Sequence, residues 1–194
     1  MEFNVLAYLN NDGSVKEIKD YNKYVSSGIL LDEEMLYLLI VGEFVNKNKN
    51  KFSYLGMKKI KFSLDDFKYV TQFLNGFNTK VFFITPHIFT KFIHLLWENI
   101  NDKSDYEKII GIFNEWSEFI KEKNLDKEHF FKEENFKKMI WDLTNSSLIL
   151  TSQNHKHNTI LTCKWKTNNL CDKCGCLVIH YQNIKSAYLT KKYV

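Results

Sequence analysis

The sequence predicts an α/β fold with a central parallel sheet flanked by helices, and two observations carry this prediction. Short apolar runs alternate with longer stretches of helical periodicity, which is the pattern of a chain in which strands and helices alternate. The runs are apolar throughout, as expected for parallel strands that are buried on both faces. The predicted strands cover residues 28–31, 80–84, 159–162 and 177–181.

The first strand and the helix after it organise the rest of the chain. The run Gly28-Ile29-Leu30-Leu31 ends at Asp32, and a long apolar stretch begins at Glu33 without any turn signal between them. Glu33 and Glu34 suit the positive N-terminal end of a helix dipole. Asp32 therefore lies at the carboxyl edge of the sheet, where open α/β folds bind ligands. On local evidence alone, a helix N-cap is the favoured role for Asp32.

Capping signals predict the helices that follow. Ser63 caps a helix that ends near Gly76, and Thr85 with Pro86 begins a helix that runs to Ile100. Thr144 is the predicted cap of a helix that ends near residue 153. Apolar periodicity predicts further helices over residues 105–123, 128–143 and 167–173, the last ending before Gly175.

A turn signal at residues 10–13, between two short alternating stretches, predicts a β-hairpin over residues 3–19. The chain is therefore divided into an N-terminal hairpin extension, residues 1–27, and an α/β domain, residues 28–194.

Composition indicates the setting in which the protein works. The 194 residues are 44% hydrophobic, which is typical of a globular domain. We expect a cytoplasmic protein without a membrane partner, because no apolar run spans a bilayer, no signal peptide opens the chain and the four cysteines agree with reduced thiols. The net charge of +4, carried by Lys without any Arg, permits nucleic-acid binding without predicting it.

Four short motifs recur in order along the chain. They are Leu30-Leu31-Asp32, Thr85-Pro86-His87-Ile88-Phe89-Thr90-Lys91, Leu143-Thr144-Asn145 and Leu161-Thr162-Cys163. In this order and at this spacing they resemble the motifs of PIN-like domains, the fold of many toxin ribonucleases. The resemblance covers about residues 28–184 and implies a three-layer α/β domain.

The same resemblance implies a site that has lost most of its acids. In the PIN-like family, acids at these four places converge and hold Mg²⁺ or Mn²⁺ for RNA cleavage. Here only Asp32 is kept, and Lys91, Asn145 and Cys163 replace the other acids. The implied function is an RNA-associated or protein-interaction module without a cofactor, of a toxin–antitoxin or phage-defence kind, with RNA, another protein or an antitoxin-like neighbour as its partner. Lys91 is expected to pair with Asp32.

The alternative is an active enzyme. Asp32, Glu34 and Asp142 form a candidate rearranged acid set for an endoribonuclease that depends on Mg²⁺ or Mn²⁺. Glu34 and Asp142 are equally explained as solvated charges at helix ends.

Several lysines are candidates for a basic rim that would hold phosphate without cleaving it: Lys59, Lys61, Lys80, Lys91 and Lys164. Their alternative explanation is ordinary surface charge.

The cysteines offer a third kind of chemistry. Cys171, Cys174 and Cys176 resemble part of a zinc site, but three-residue spacing on a helix also makes a buried face, and that explanation is favoured. A nucleophilic pair of Cys163 or Cys176 with His180 lacks any sequence signature.

Overall fold

The computed structural model describes residues 8–9, 15–16, 25–56, 60–134, 142–154 and 159–191. Its centre is a five-stranded, all-parallel sheet in the order β5-β4-β3-β6-β7. The predicted α/β architecture with a parallel central sheet is confirmed. The strands of this sheet are β3 (Ile29–Leu31), β4 (Phe82–Ile84), β5 (Ile120–Glu122), β6 (Thr159–Thr162) and β7 (Val178–His180).

Helices flank the sheet and connect its strands. They are α1 (Glu33–Lys47), α2 (Leu64–Gly76), α3 (Pro86–Asn99), α4 (Lys103–Trp116), α5 (Lys127–Lys132), α6 (Leu143–Asn154), α7 (Trp165–Lys173) and α8 (Tyr181–Lys191). A 3-10 segment, Lys49–Leu55, follows α1. In the described part of the chain, no helix combines the length and the apolar character that crossing a bilayer needs.

Helix α1 is the centre of the core, as the sequence indicates. Every residue of β3 is buried, and α1 is buried almost continuously from Met35 to Val45. A helix that is apolar on all sides packs inside a domain, and α1 contacts α2, α3, α4 and the 3-10 segment. Gly28 has φ +127°, and a Cβ there would lie 2.4 Å from the ring of Phe83, so only glycine fits where the chain enters β3.

The predicted helix over residues 105–123 is wrong at its C-terminal end. Helix α4 ends at Trp116, and Ile120–Glu122 forms β5. The Phe82 N–H donates to the Phe119 carbonyl, and the Lys123 N–H donates to the Ile84 carbonyl, both at 2.8 Å. These bonds to β4 are tertiary contacts, and they outweigh the helical phase on which the prediction rested.

The N-cap residues of α2, α3 and α6 test three of the predicted helix starts. Ser63 and Asp66 form a capping box, and Thr85 caps α3. The cap of α6 is Asp142 rather than the predicted Thr144, because Asp142 Oδ1 accepts the Asn145 N–H at 2.8 Å.

The predicted helix over residues 128–143 is interrupted. Helix α5 ends at Lys132, since Glu133 is extended, and residues 135–141 lie outside the described residues.

The N-terminal hairpin stays a prediction. Two short strands, β1 (Tyr8–Leu9) and β2 (Val15–Lys16), pair antiparallel, and the rest of residues 1–24 lies outside the described residues.

The strand order places one switch point in the sheet. From β3 the chain moves outward through β4 to β5, then returns to the other side of β3 and continues through β6 to β7. Connections therefore leave β3 and β6 in opposite directions. In open α/β sheets, ligands bind outside the carboxyl ends of strands at such a point. Asp32 follows β3 and Cys163 follows β6, so the sheet brings the first and last of the four motifs together.

Candidate functional site at the switch point

Asp32 is completely buried and fully engaged between β3 and α1. Its Oδ1 accepts the Met35 N–H at 2.7 Å, which makes it the N-cap of α1. Its Oδ2 accepts the Thr162 hydroxyl at 2.5 Å and the Cys163 N–H at 3.3 Å. Burial raises the pKa of Asp32 to about 7, and the charge of Glu33 adds to this, although Lys164, Thr162 and the α1 cap act to lower it. Asp32 thus joins β3 to β6 across the switch point.

Lys164 supplies the positive charge of the site. Its ammonium forms an ion pair with Glu33 and lies 3.7 Å from Glu34 Oε1. Burial acts to lower the pKa of Lys164, but the negative charges of Asp32 and Glu33 and the hydrogen bond to Glu33 outweigh it and raise that pKa. Since the Lys164 side chain is only 29% exposed and that of Glu33 only 6%, this pair is largely shielded from water.

Lys91 reaches the same cluster from α3, but it does not contact the predicted partner. Its ammonium lies 3.8 Å from Glu33 Oε1, and half of the side chain is exposed. The expected pair with Asp32 does not form, because both oxygens of Asp32 are turned inward to the cap and to β6.

Cys163 is a protonated, hydrogen-bonded thiol. Its Sγ donates to Glu34 Oε2 at 2.7 Å. Burial raises the pKa of the thiol, and the charges of Asp32 and Glu34 raise it further. A thiol held in this form is a poor nucleophile.

His180 fixes the end of β6 rather than activating a cysteine. Its Nε2 lies 3.0 Å from the Cys163 carbonyl oxygen, and its Nδ1 accepts the Gln182 N–H at 3.2 Å. These partners define a neutral ring with the proton on Nε2, and burial lowers the pKa of His180 to about 4. The ring stacks on Trp165, with centroids 3.6 Å apart. His180 thus contacts the carbonyl of Cys163 rather than its thiol, and the Cys176 thiol lies against the Ile149 carbonyl, so neither thiol pairs with His180 among the described contacts.

Asn145 and Asp142 lie one helix away at the same edge. Asn145 is buried, its Oδ1 accepts the Thr167 hydroxyl at 2.8 Å, and its Nδ2 donates to Asp142 Oδ2 at 3.0 Å. Asp142 Oδ1 also accepts the Asn145 N–H, so both oxygens of Asp142 are occupied within the α6 cap. The structure thus brings Asp32 and Cys163 into direct contact, and Lys91 reaches the same cluster through Glu33. Asn145 bonds instead to Asp142 and to Thr167 of α7.

The acids do not fit a Mg²⁺ or Mn²⁺ site. Both oxygens of Asp32 accept protein hydrogen bonds, Glu33 Oε1 holds Lys164, and Glu34 Oε2 holds the Cys163 thiol. Glu33 Oε2 is the one buried oxygen of this cluster without a partner among the described residues. A hard divalent ion needs several such oxygens. Within the same residues, no three His, Cys, Asp or Glu side chains are grouped to hold a metal.

Cys171, Cys174 and Cys176 lie at the C-terminal end of α7. The Cys176 N–H donates to the Cys171 carbonyl and the Gly175 N–H to the Asp172 carbonyl, both at 2.9 Å, and Gly175 has φ +72°. This is a Schellman motif, which commonly brings an apolar pair together at the positions that Cys171 and Cys176 occupy here. Both of these side chains are buried, while Cys174 is partly exposed at the C-cap.

The sequence does not predict the central contact of this cluster. Lys164 is expected only as one of several rim lysines, and Glu33 only as a charge at a helix end, whereas the structure pairs the two side chains. The available signal was the position of Lys164, two residues beyond a strand that ends beside β3. Among the other rim lysines, Lys59 lies outside the described residues.

Comparison with known proteins gives no relative. No family model, no curated protein and no solved structure matches the chain.

Proposed function

We propose that this chain is a PIN-like domain that binds RNA without cleaving it, with Lys164 providing the positive charge that metal ions provide in that family. The observation that carries the proposal is the ion pair of the partly exposed Lys164 with the buried Glu33, beside Asp32 at the switch point. The order of the four motifs and the parallel sheet support the family resemblance.

RNA is favoured as the partner because cations and an exposed aromatic ring surround this edge. Trp165 is 54% exposed although it stacks on His180, Lys166 beside it is exposed, and Lys91 is half-exposed. Single-stranded RNA is bound by aromatic rings that stack on bases and by cations along the backbone. Metal-dependent RNA cleavage is disfavoured because all the acid oxygens of the site except Glu33 Oε2 and Glu34 Oε1 accept protein hydrogen bonds or hold Lys164.

The alternative function, a divergent endoribonuclease using Asp32, Glu34 and Asp142, requires these acids to act together. Asp142 is instead engaged by Asn145 in the α6 cap, and Glu34 accepts the Cys163 thiol. A protein-interaction module in a toxin–antitoxin or phage-defence setting is the outcome to consider if RNA does not bind.

Fluorescence anisotropy measures binding of the protein to a labelled single-stranded RNA and to a labelled hairpin RNA. The same RNAs are then incubated with the protein in Mg²⁺ or Mn²⁺, and cleavage is followed by gel. We expect saturable binding that weakens with salt, together with intact RNA. Trp165→Ala should weaken binding about tenfold through the lost stacking, and Lys166→Gln by a smaller factor with a lower salt slope. The matched control is Lys103→Gln, which changes an exposed lysine that pairs with Glu107 on α4.

Two results would reject the proposal. One is the absence of RNA binding by the natural chain. The other is RNA cleavage that disappears both with EDTA and with Asp32→Ala, which would favour the enzyme instead.

A further inference from the structure

The outer edge of β5 has no strand partner among the residues that the structure describes. In the described part of the chain, β5 pairs only with β4, through the bonds of the Phe119 carbonyl and the Lys123 N–H. Peptide groups alternate in direction along a strand. The peptide groups of Ile120 and Glu122 therefore point away from the sheet, where an extended segment is able to pair with them.

The two faces beside this edge differ in their chemistry. On one face, β5 borders an apolar cleft of about 210 Å³, lined by Ile84, Phe89, Phe113, Ser117, Ile120 and Glu122. A second cleft of about 300 Å³ shares Phe89 and continues along α3 to Trp97. On the opposite face, Lys121 is exposed, and the ammonium of Lys123 lies 4.7 Å from the ring centroid of Phe83.

Charge argues against a second copy of the chain as the occupant. If two β5 edges paired antiparallel about a two-fold axis through their outward peptide groups, Lys121 would face Lys121 of the other copy. Like charges directly opposite each other destabilise a strand pair, and an edge lysine protects a sheet from pairing with itself. The occupant that complements this edge carries carboxylates opposite Lys121 and Lys123.

We infer that the β5 edge binds an extended acidic segment of a partner protein, in which carboxylates alternate with apolar side chains. The carboxylates lie over Lys121 and Lys123 on one face of the sheet. The apolar side chains enter the cleft beside Phe113 and Ile120 on the other face, and the main chain bonds to the outward peptide groups. This surface does not include the Lys164 contacts and does not rest on the proposed function.

The test titrates the ¹⁵N-labelled full chain with the blocked peptide Ser-Glu-Leu-Glu-Leu-Glu-Ser. The control peptide has Lys in place of each Glu. We expect saturable amide shifts concentrated at residues 119–123, with binding of the control peptide at least about threefold weaker, as expected for charge pairs across neighbouring strands. The double variant Lys121→Glu/Lys123→Glu should reverse this preference, whereas Lys103→Glu on α4 should leave it unchanged.

The inference fails if the peptide produces no saturable shift at residues 119–123 up to millimolar concentration. It also fails if both peptides bind equally or if the double variant, shown by its spectrum to be folded, keeps the original preference. A concentration-dependent dimer that affects the same amides would overturn it as well, because a second copy would then occupy the edge.

Discussion

Asp32→Asn keeps the shape of the side chain and its N-cap role while it removes the charge. Asn is as good an N-cap as Asp, so the bond from the Met35 N–H is retained. In the Asn variant an NH₂ group replaces Oδ2 and cannot accept the bonds from the Thr162 hydroxyl and the Cys163 N–H. The Thr162 hydroxyl can turn and accept from this group instead, so the bond that is lost outright is the long one from the Cys163 N–H, at 3.3 Å. Its loss costs about 1 kcal/mol.

The gain from removing the charge depends on pH. The pKa of Asp32 lies at about 7 in the folded protein against an ordinary value of 3.8. Between these two values the native state binds more protons than the unfolded state, so the stability of the natural protein falls as pH rises from about 4 to about 7 and then levels off. At about 1.4 kcal/mol per pH unit, the ionised form of Asp32 costs about 4 kcal/mol at pH 8.5. The net expectation for Asp32→Asn is a stabilisation of about 3 kcal/mol at pH 8.5 and little change at pH 4.

Urea unfolding followed by circular dichroism at the two pH values measures this effect. The matched control is Asp66→Asn in the α2 capping box. Burial acts to raise the pKa of Asp66, but hydrogen bonds, including those from the Ser63 N–H and Lys185, lower it overall. The stability that Asp66 contributes is therefore present above its unfolded pKa and lost as pH falls, so its Asn variant should destabilise by about 2 kcal/mol at pH 8.5. If Asp32→Asn instead destabilises the protein at pH 8.5, Asp32 is a stably ionised group and the reasoning is refuted.

Three further predictions concern the cations and the positions at which the PIN-like resemblance implies acids. Lys164→Met leaves the buried Glu33 with only the half-exposed Lys91, 3.8 Å away, and should reduce the free energy of unfolding by about 3 kcal/mol at neutral pH. Lys91→Met should cost less than about 1 kcal/mol, because the Lys91 side chain is half-exposed. Urea titration of both variants checks this, and equal losses would contradict it. The triple restoration Lys91→Glu/Asn145→Asp/Cys163→Asp should not bind Mn²⁺ in calorimetry, since Lys164 still occupies the cluster. Adding Lys164→Ala to the triple variant should produce Mn²⁺ binding, and binding by the triple variant alone would show that Lys164 does not exclude the metal.

Local signals were sufficient to predict much of the fold. The burial of the residue 28–31 strand, the acidic first turn of α1 and the capping box at Ser63 are all encoded within a few neighbouring residues. The sequence does not reveal β5, because the apolar position of Ile120 fits the periodicity of a helix as well as that of a strand. Only the pairing with β4 selects the strand.

The site was less predictable, because its contacts depend on side-chain geometry. The motif resemblance implies that the ends of β3 and β6 meet, but it does not indicate that the ammonium of Lys164 pairs with Glu33. The sequence favours Lys91 because it stands where PIN-like domains, which the motifs resemble, carry an acid. Its expected partner, Asp32, instead bonds to Thr162 on β6, a contact between residues 130 positions apart in sequence.

The most direct test of the account is a Mn²⁺ titration of the natural full chain at pH 7.5, followed by electron paramagnetic resonance of the free ion. If Lys164 neutralises the acids, the free Mn²⁺ signal should rise in proportion to the metal added, without a saturable site up to millimolar concentration. One saturable Mn²⁺ per chain that is lost in Asp32→Ala would contradict the account and show that the acids at the switch point are a working metal site.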